Sequence, residues 1–386
     1  MSQNQPYRKE AVCMRRTMLF TLACTALTLS AAFADGKQHK NQPFQLFEGP
    51  AIPVQPKRMM KVCWWNGRIV PVTPWITVGD FSPAGPCNPN ETLVWDHFGA
   101  DASGNPTGGN TCRDGFAPAT RYYFGATYNN PYYANDIETL VNAQYNGGTA
   151  SSLAHAWFWT AGGQGTSETC VILIRTVENL DTTCQSDVHD VFDNNPFIEG
   201  VVLDYGNLGS SVGVGYYASA VCLRGVGGIR LPSTPDSNGV LGGYVVIYAS
   251  AFDPNTGQVT PATGAQPMLW STQITGVGTS TSTQWDDDNP TNYNHTAPNE
   301  CYDYTYNGLC PLLPNVTIWG GMMAFWVLPC TPNGGDVDGN GCVDDADLLR
   351  VLFAFGGQGG AEDTNCDGVV DDADLLEVLF NFGTGC

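Results

Sequence analysis

From Asp336 the chain enters an acidic stretch that it then repeats. Asp336-Val-Asp338-Gly-Asn340-Gly341-Cys342-Val-Asp344-Asp345-Ala346-Asp347-Leu348-Leu349 is matched 27 residues later by Asp363-Thr-Asn365-Cys-Asp367-Gly368-Val369-Val-Asp371-Asp372-Ala373-Asp374-Leu375-Leu376. From Thr331 onward there are 12 acidic residues and one basic residue, Arg350. Acidic tails are usually solvated and unstructured, but this one is patterned. Each unit places oxygen-bearing side chains at loop positions 1, 3 and 5, a glycine at 6 and a carboxylate at 12. That alternation turns successive side chains inward around a hard cation, and calcium takes about six to eight oxygens at roughly 2.3–2.6 Å. The glycine permits the sharp turn, position 7 offers its carbonyl, and position 12 closes the shell from the first turn of a helix.

The expected ligands of one Ca2+ ion are therefore Asp336, Asp338, Asn340, the carbonyl of Cys342, Asp344 and Asp347. Those of a second are Asp363, Asn365, Asp367, the carbonyl of Val369, Asp371 and Asp374. Asp344 and Asp371, at position 9, bind directly or through water.

Position 12 is Asp rather than the Glu of ordinary EF-hands, one helix follows each loop, and two near-identical units lie side by side. In these features residues 336–386 resemble a type I dockerin. The resemblance implies paired calcium-binding repeats that dock onto a cohesin-like or cell-surface protein, often tethering polysaccharide-degrading proteins. Two departures stand out. Where family members commonly carry small hydroxyl residues at positions 10 and 11, this chain has Asp345-Ala346 and Asp372-Ala373, and where basic residues often follow it has Leu352-Phe353 and Leu379-Phe380. Both expected helices are apolar almost all round, which predicts burial on two sides, and Gly356 and Gly383 stand where each should stop. Residues 329–335 read as a short linker.

The opposite end reads as an export signal, residues 1–34. Arg15-Arg16 precede an uncharged, mostly apolar run from Met18 to Leu29, and Ala32-Phe33-Ala34 fits a signal-peptidase site. The run is too short for a membrane anchor, and no later stretch is long enough to span a bilayer. A secreted, extracellular or cell-surface location follows. Of 14 cysteines, 12 remain beyond Cys13 and Cys24, an even number in a compartment where disulfides persist. Net charge is −21, which argues against nucleic acid and anionic membranes as partners.

Residues 35–328 carry little charge and much glycine and proline, which suits short strands joined by turns. Strand-like runs are Cys170–Val177, Ile198–Tyr205, Tyr216–Leu223, Gly243–Phe252, Pro267–Ile274 and Val316–Val327, and 136–144 is the one candidate helix. The expected architecture is mainly β, a β-sandwich of jelly-roll type, followed by the small α-helical calcium-binding domain.

Catalytic constellations are thin. Gly209-Ser210-Ser211-Val212-Gly213 matches the nucleophile-elbow string, with Asp286–Asp288 and His295 following in hydrolase order. An elbow needs a helix after its serine, and the residues that follow read as a strand, so a glycine-rich hairpin is the better account. Asp96-His97 and His189-Asp190 read as surface or loop features. Trp64-Trp65, Trp75, Trp95, Trp157-Phe158-Trp159, Trp270 and Trp285 read as core and sheet-edge aromatics ahead of sugar-stacking platforms. The sequence thus favours a non-enzymatic binding or surface-structural protein, with polysaccharide as a candidate ligand and the tail as tether. A secreted polysaccharide-degrading enzyme is one alternative, and a tail acting as an intramolecular calcium staple is another.

Overall fold

The computed structural model describes residues 45–49, 52–65, 68–78, 91–98, 119–123, 132–159, 169–178, 180, 197–208, 215–262, 265–267, 269–271, 277–280, 283–287, 301–303, 319–328, 334–356, 361–365 and 370–386. The export segment, the Gly209–Gly213 string, His189-Asp190, Asp288 and His295 lie outside them. Among the described residues the molecule is mainly β, with two short α-helices late in the chain.

The described strands form three sheets. A small one orders β1 (Gln45–Gly49), β7 (Ala119–Tyr123), β17 (Leu269–Ser271) and β20 (Trp319–Gly321). The largest has ten strands. It runs β19 (Cys301–Asp303), β18 (Thr283–Asp287), β8 (Tyr132–Ile137), β14 (Gly242–Asp253), β10 (Thr169–Glu178), β11 (Phe197–Asn207), β3 (Arg58–Trp65) and β4 (Arg68–Pro71). On it, β15 (Gln258–Pro261) pairs with β14 and β5 (Ile76–Thr77) with β3. The third sheet, of seven strands, orders β2 (Ile52–Pro53), β12 (Gly215–Cys222), β9 (Thr149–Trp159), β21 (Met323–Val327) and β6 (Thr92–Asp96). There β13 (Ile229–Arg230) and β16 (Ala265–Pro267) pair with β9.

The two larger sheets face each other across one apolar core, a sandwich-like arrangement. Ile172 and Ile174 of β10, Val201 and Leu203 of β11, and Tyr244 and Val246 of β14 meet Leu153, Trp157 and Trp159 of β9, Tyr217 of β12 and Phe325 of β21. The alternate residues of the same strands build a second layer on the far face: Val171, Leu173 and Val177, then Val202, then Val245, Ile247 and Ala249. A strand buried on both faces has no reason to alternate apolar with polar, which is why Cys170-Val-Ile-Leu-Ile174 is continuously apolar.

Four of the six expected strands appear as single strands near their expected limits. The other two are divided between sheets. Pro267 ends β16 in the seven-stranded sheet whereas Leu269 begins β17 in the small one, and β20 and β21 are likewise separated around Met322. The expected helix at 136–144 is absent. Asp136 and Ile137 complete β8, and only a 3-10 turn, Ala143–Tyr145, follows. β8 is held as a strand by partners on both sides, β14 and β18, which outweighs local periodicity.

No helix among the described residues is long and apolar enough to cross a membrane.

Candidate metal centre

The two helices, α1 (Asp345–Ala354) and α2 (Asp372–Asn381), stand in equivalent places of the two repeats. Each begins on a reciprocal capping box. Asp344 caps α1 by accepting from the Ala346 amide at 2.8 Å, and Asp347 accepts from the Asp344 amide at 2.9 Å. Asp371 and Asp374 do the same for α2 at 2.8 Å each. Such caps satisfy amides that the first helical turn leaves open. They also serve the loop, because they swing the position-12 carboxylate back toward position 1.

Asp347 is buried, and its Oδ1 accepts from the amides of Val337 at 2.7 Å and Asp338 at 2.9 Å. Burial alone would raise its pKa. The amides of Asp344, Asp338 and Val337 more than offset that and hold the carboxyl below its usual range, so it is ionised at neutral pH. Asp336 accepts from the amides of Asn340 at 3.1 Å and Gly341 at 2.9 Å, and Asn340 also donates its amide to Asp338 at 3.0 Å. Carboxylate oxygens of Asp336, Asp338 and Asp347 all lie within 4.8 Å of one another, the one such group among the described residues. Gly341 has φ of 90°, a left-handed conformation at the position where the loop turns sharply. A donor set of three convergent carboxylates with no nitrogen or sulfur suits a hard divalent cation.

The second loop repeats the anchoring. Asp374 is buried and accepts from the amides of Asn365 at 3.1 Å and Asp371 at 2.8 Å, and Asp363 is buried as well. Asp367 and Val369 lie outside the described residues. Position 2 differs between repeats. Val337 joins the apolar core of the tail, whereas Thr364 donates its hydroxyl to Asp374 at 3.3 Å.

The repeats close on each other by exchange. The Gly356 amide, just past α1, donates to Val370 of the second loop at 2.8 Å, and the Gly383 amide, just past α2, donates to Val343 of the first loop at 2.8 Å. Beneath these bonds Val343, Val351, Val370 and Val378 form a small core with Val337. Gly356 and Gly383 have φ of 81° and 84°, so both helices stop at the expected residues.

The outer faces of the helices are not buried. Leu349, Leu352, Phe353 and Phe355 on α1 and just beyond it are exposed, as are Leu376, Leu379, Phe380 and Phe382 on the second unit. Phe353 is 86% and Phe380 82% exposed. The expectation that these helices are buried on two sides is thus met on one side only. Val72 and Val141 are the other large exposed apolar residues described.

The sandwich also holds polar groups in its interior. Asp96 and His97, read from sequence as a surface or loop pair, are both buried, with His97 stacked on Trp95 at 3.9 Å. The pair follows β6 into the core because Asp96 turns back to accept from the Phe98 amide at 2.7 Å. Burial holds the His97 pKa well below its ordinary value, against an opposing hydrogen bond with Asn135. Asn135, Asp136 and Ser280 form a buried network, with Ser280 donating to Asp136 at 2.7 Å. His155 is buried beside Trp157 and shares a 2.7 Å hydrogen bond with the Tyr205 hydroxyl. Sequence reading missed this network and His155, since the partners lie 50 to 145 residues apart and no spacing announces them. Trp95, Trp157 and Trp159 are fully buried, which makes them core residues and not sugar platforms. Trp64 and Trp75 are half-buried, with Arg58 over the Trp75 ring at 4.2 Å.

Compared with known proteins, the chain matches no family model, no curated protein and no solved structure.

Proposed function

We propose that residues 336–386 are a dockerin-like module that binds two Ca2+ ions and tethers a secreted β-sandwich of jelly-roll type to a protein partner. The observation that carries this reading is the convergence of Asp336, Asp338 and Asp347, held by backbone amides, in a loop that recurs 27 residues on. Asp336, Asp338, Asn340, the Cys342 carbonyl, Asp344 and Asp347 hold one ion; Asp363, Asn365, Asp367, the Val369 carbonyl, Asp371 and Asp374 hold the other. Bound calcium neutralises clustered carboxylates that otherwise repel, so metal binding and folding of the tail are linked.

The exposed apolar residues favour a tether over an intramolecular staple. Four sit on each unit, and the two sets are related by the repeat. An apolar patch of that kind on an otherwise acidic surface is the mark of an interaction site, and a cohesin-like or cell-surface protein is the partner it suits. The β domain is read as a binding or surface-structural module, because its buried histidines and tryptophans are committed to packing.

Calorimetry on the whole chain tests the proposal. Two calcium sites are expected, one lost in Asp336→Ala and both in Asp336→Ala with Asp363→Ala. A chain that takes up no calcium, or a double variant that still takes up two ions, overturns it.

A further inference from the structure

Inside a nearly symmetric tail one link among the described residues departs from the repeat. Cys342, at position 7 of the first loop, is disulfide-bonded to Cys386, with Cα atoms 4.6 Å apart. Twenty-seven residues on from Cys342 stands Val369, and 27 before Cys386 stands Gly359, so the repeat does not reproduce this pair of cysteines. Around the disulfide the segment after α2 is laid onto the first loop. Val343 donates its amide to Thr384 at 3.0 Å and Gly383 donates to Val343 at 2.8 Å. Gly385 passes so close to the Gly341 carbonyl that a Cβ there would lie 2.0 Å from its oxygen, and its φ is 79°. Only glycine fits this crossing. The neighbouring Cys342 amide is taken by the Asn340 side chain at 2.7 Å, so positions 5 to 8 are all tied down.

We propose that the Cys342–Cys386 disulfide makes the first loop a pre-closed anchor, so that the two calcium loops fill in a fixed order, the first before the second, and empty in reverse. The calcium part rests on the reading of the two loops as calcium sites; the closure itself rests on the disulfide and its surrounding hydrogen bonds. A loop held shut gives up less conformational freedom on binding and therefore binds more tightly. A dithiol reductant would abolish the order. Reduction breaks the Sγ–Sγ bond and moves two electrons and two protons from the dithiol, which closes its own disulfide, onto the sulfurs of Cys342 and Cys386.

Amide hydrogen exchange on the full-length chain, followed across a calcium titration that begins in chelator, tests this. In chelator the amides of Val343 and Gly383 are expected to exchange at least about tenfold more slowly than Gly356, the matching amide of the other crossing. On titration the first loop is expected to become protected at about tenfold lower calcium than the second, equivalent to about 1.4 kcal/mol. Cys342→Ser with Cys386→Ser, or dithiol treatment of the unaltered chain, should bring the two loops together. Two loops that respond at the same calcium concentration, or a Ser variant that behaves as the parent, overturn the proposal and leave calcium binding intact. A chain in which neither loop responds to calcium removes the calcium reading, and the chelator comparison then still decides whether the disulfide holds the first loop shut.

Discussion

His155 shows what burial does to a residue type often read as catalytic. Removed from water and bonded to Tyr205, its imidazole is held neutral, with its pKa lowered to about 3 by desolvation. His97 is shifted the same way. Both are depressed relative to an unfolded histidine near about 6.5, so the unfolded chain binds the extra protons. For His155 the stability is complete above about pH 6.5 and is lost as pH falls toward about 3, by roughly 1.4 kcal/mol per pH unit, and His97 acts in the same direction. Acid unfolding followed by calorimetry should therefore show proton uptake in that window, and His155→Gln should reduce it by about one proton. Neither histidine's role was legible in sequence, because fractional burial is a property of the assembled sheets. The convergence of Asp336, Asp338 and Asp347 was legible residue by residue, because the three belong to one local turn whose geometry their spacing defines.

Elements were legible where one force dominated. The continuous apolar runs of β10 and β14 announce strands, since a sheet covered on both faces needs nothing else. β9 was missed as a strand, although it carries Leu153, Trp157 and Trp159 into the core. Its small residues, such as Ser151, Ser152, Ala154 and Ala156, blur the pattern, and they are buried too. The helices present the converse case: their apolar character was plain, but only one side is used internally. Val351→Ala or Val378→Ala should destabilise the tail by roughly 1.5–3 kcal/mol, because both side chains are fully buried in its core. Phe353→Ser and Phe380→Ser should move stability by no more than about 0.5 kcal/mol, since both rings are exposed. Thermal unfolding of the four variants in calcium checks the contrast. If the tail is a tether, the two Phe variants alone should lose capture of the partner.

At the scale of the whole molecule, composition separates the acidic, repeated tail from a β-rich body, and the described strands and helices fall on either side of that division. What composition could not give was the assignment of neighbouring segments to different sheets, as with β16 and β17, because sheet choice depends on strands distant in sequence. Net charge sets a further expectation. A chain at −21 with 12 of its 37 acidic residues gathered from Thr331 onward attracts divalent cations over a long range. Raising the ionic strength should weaken calcium uptake, mostly through slower association, and stopped-flow loading at two salt concentrations would measure it.

The exchange of closing bonds between the repeats has a consequence for any shortened form of the protein. Gly356 shuts the loop of the second unit and Gly383 shuts that of the first. A proteolytic cut between the units would leave both halves joined through the Cys342–Cys386 disulfide, but a stop codon after residue 360 would leave the first loop without its closing partner. The surviving loop would keep all its acidic side chains and lose its lid. Duplication here yields interdependence, not a spare copy.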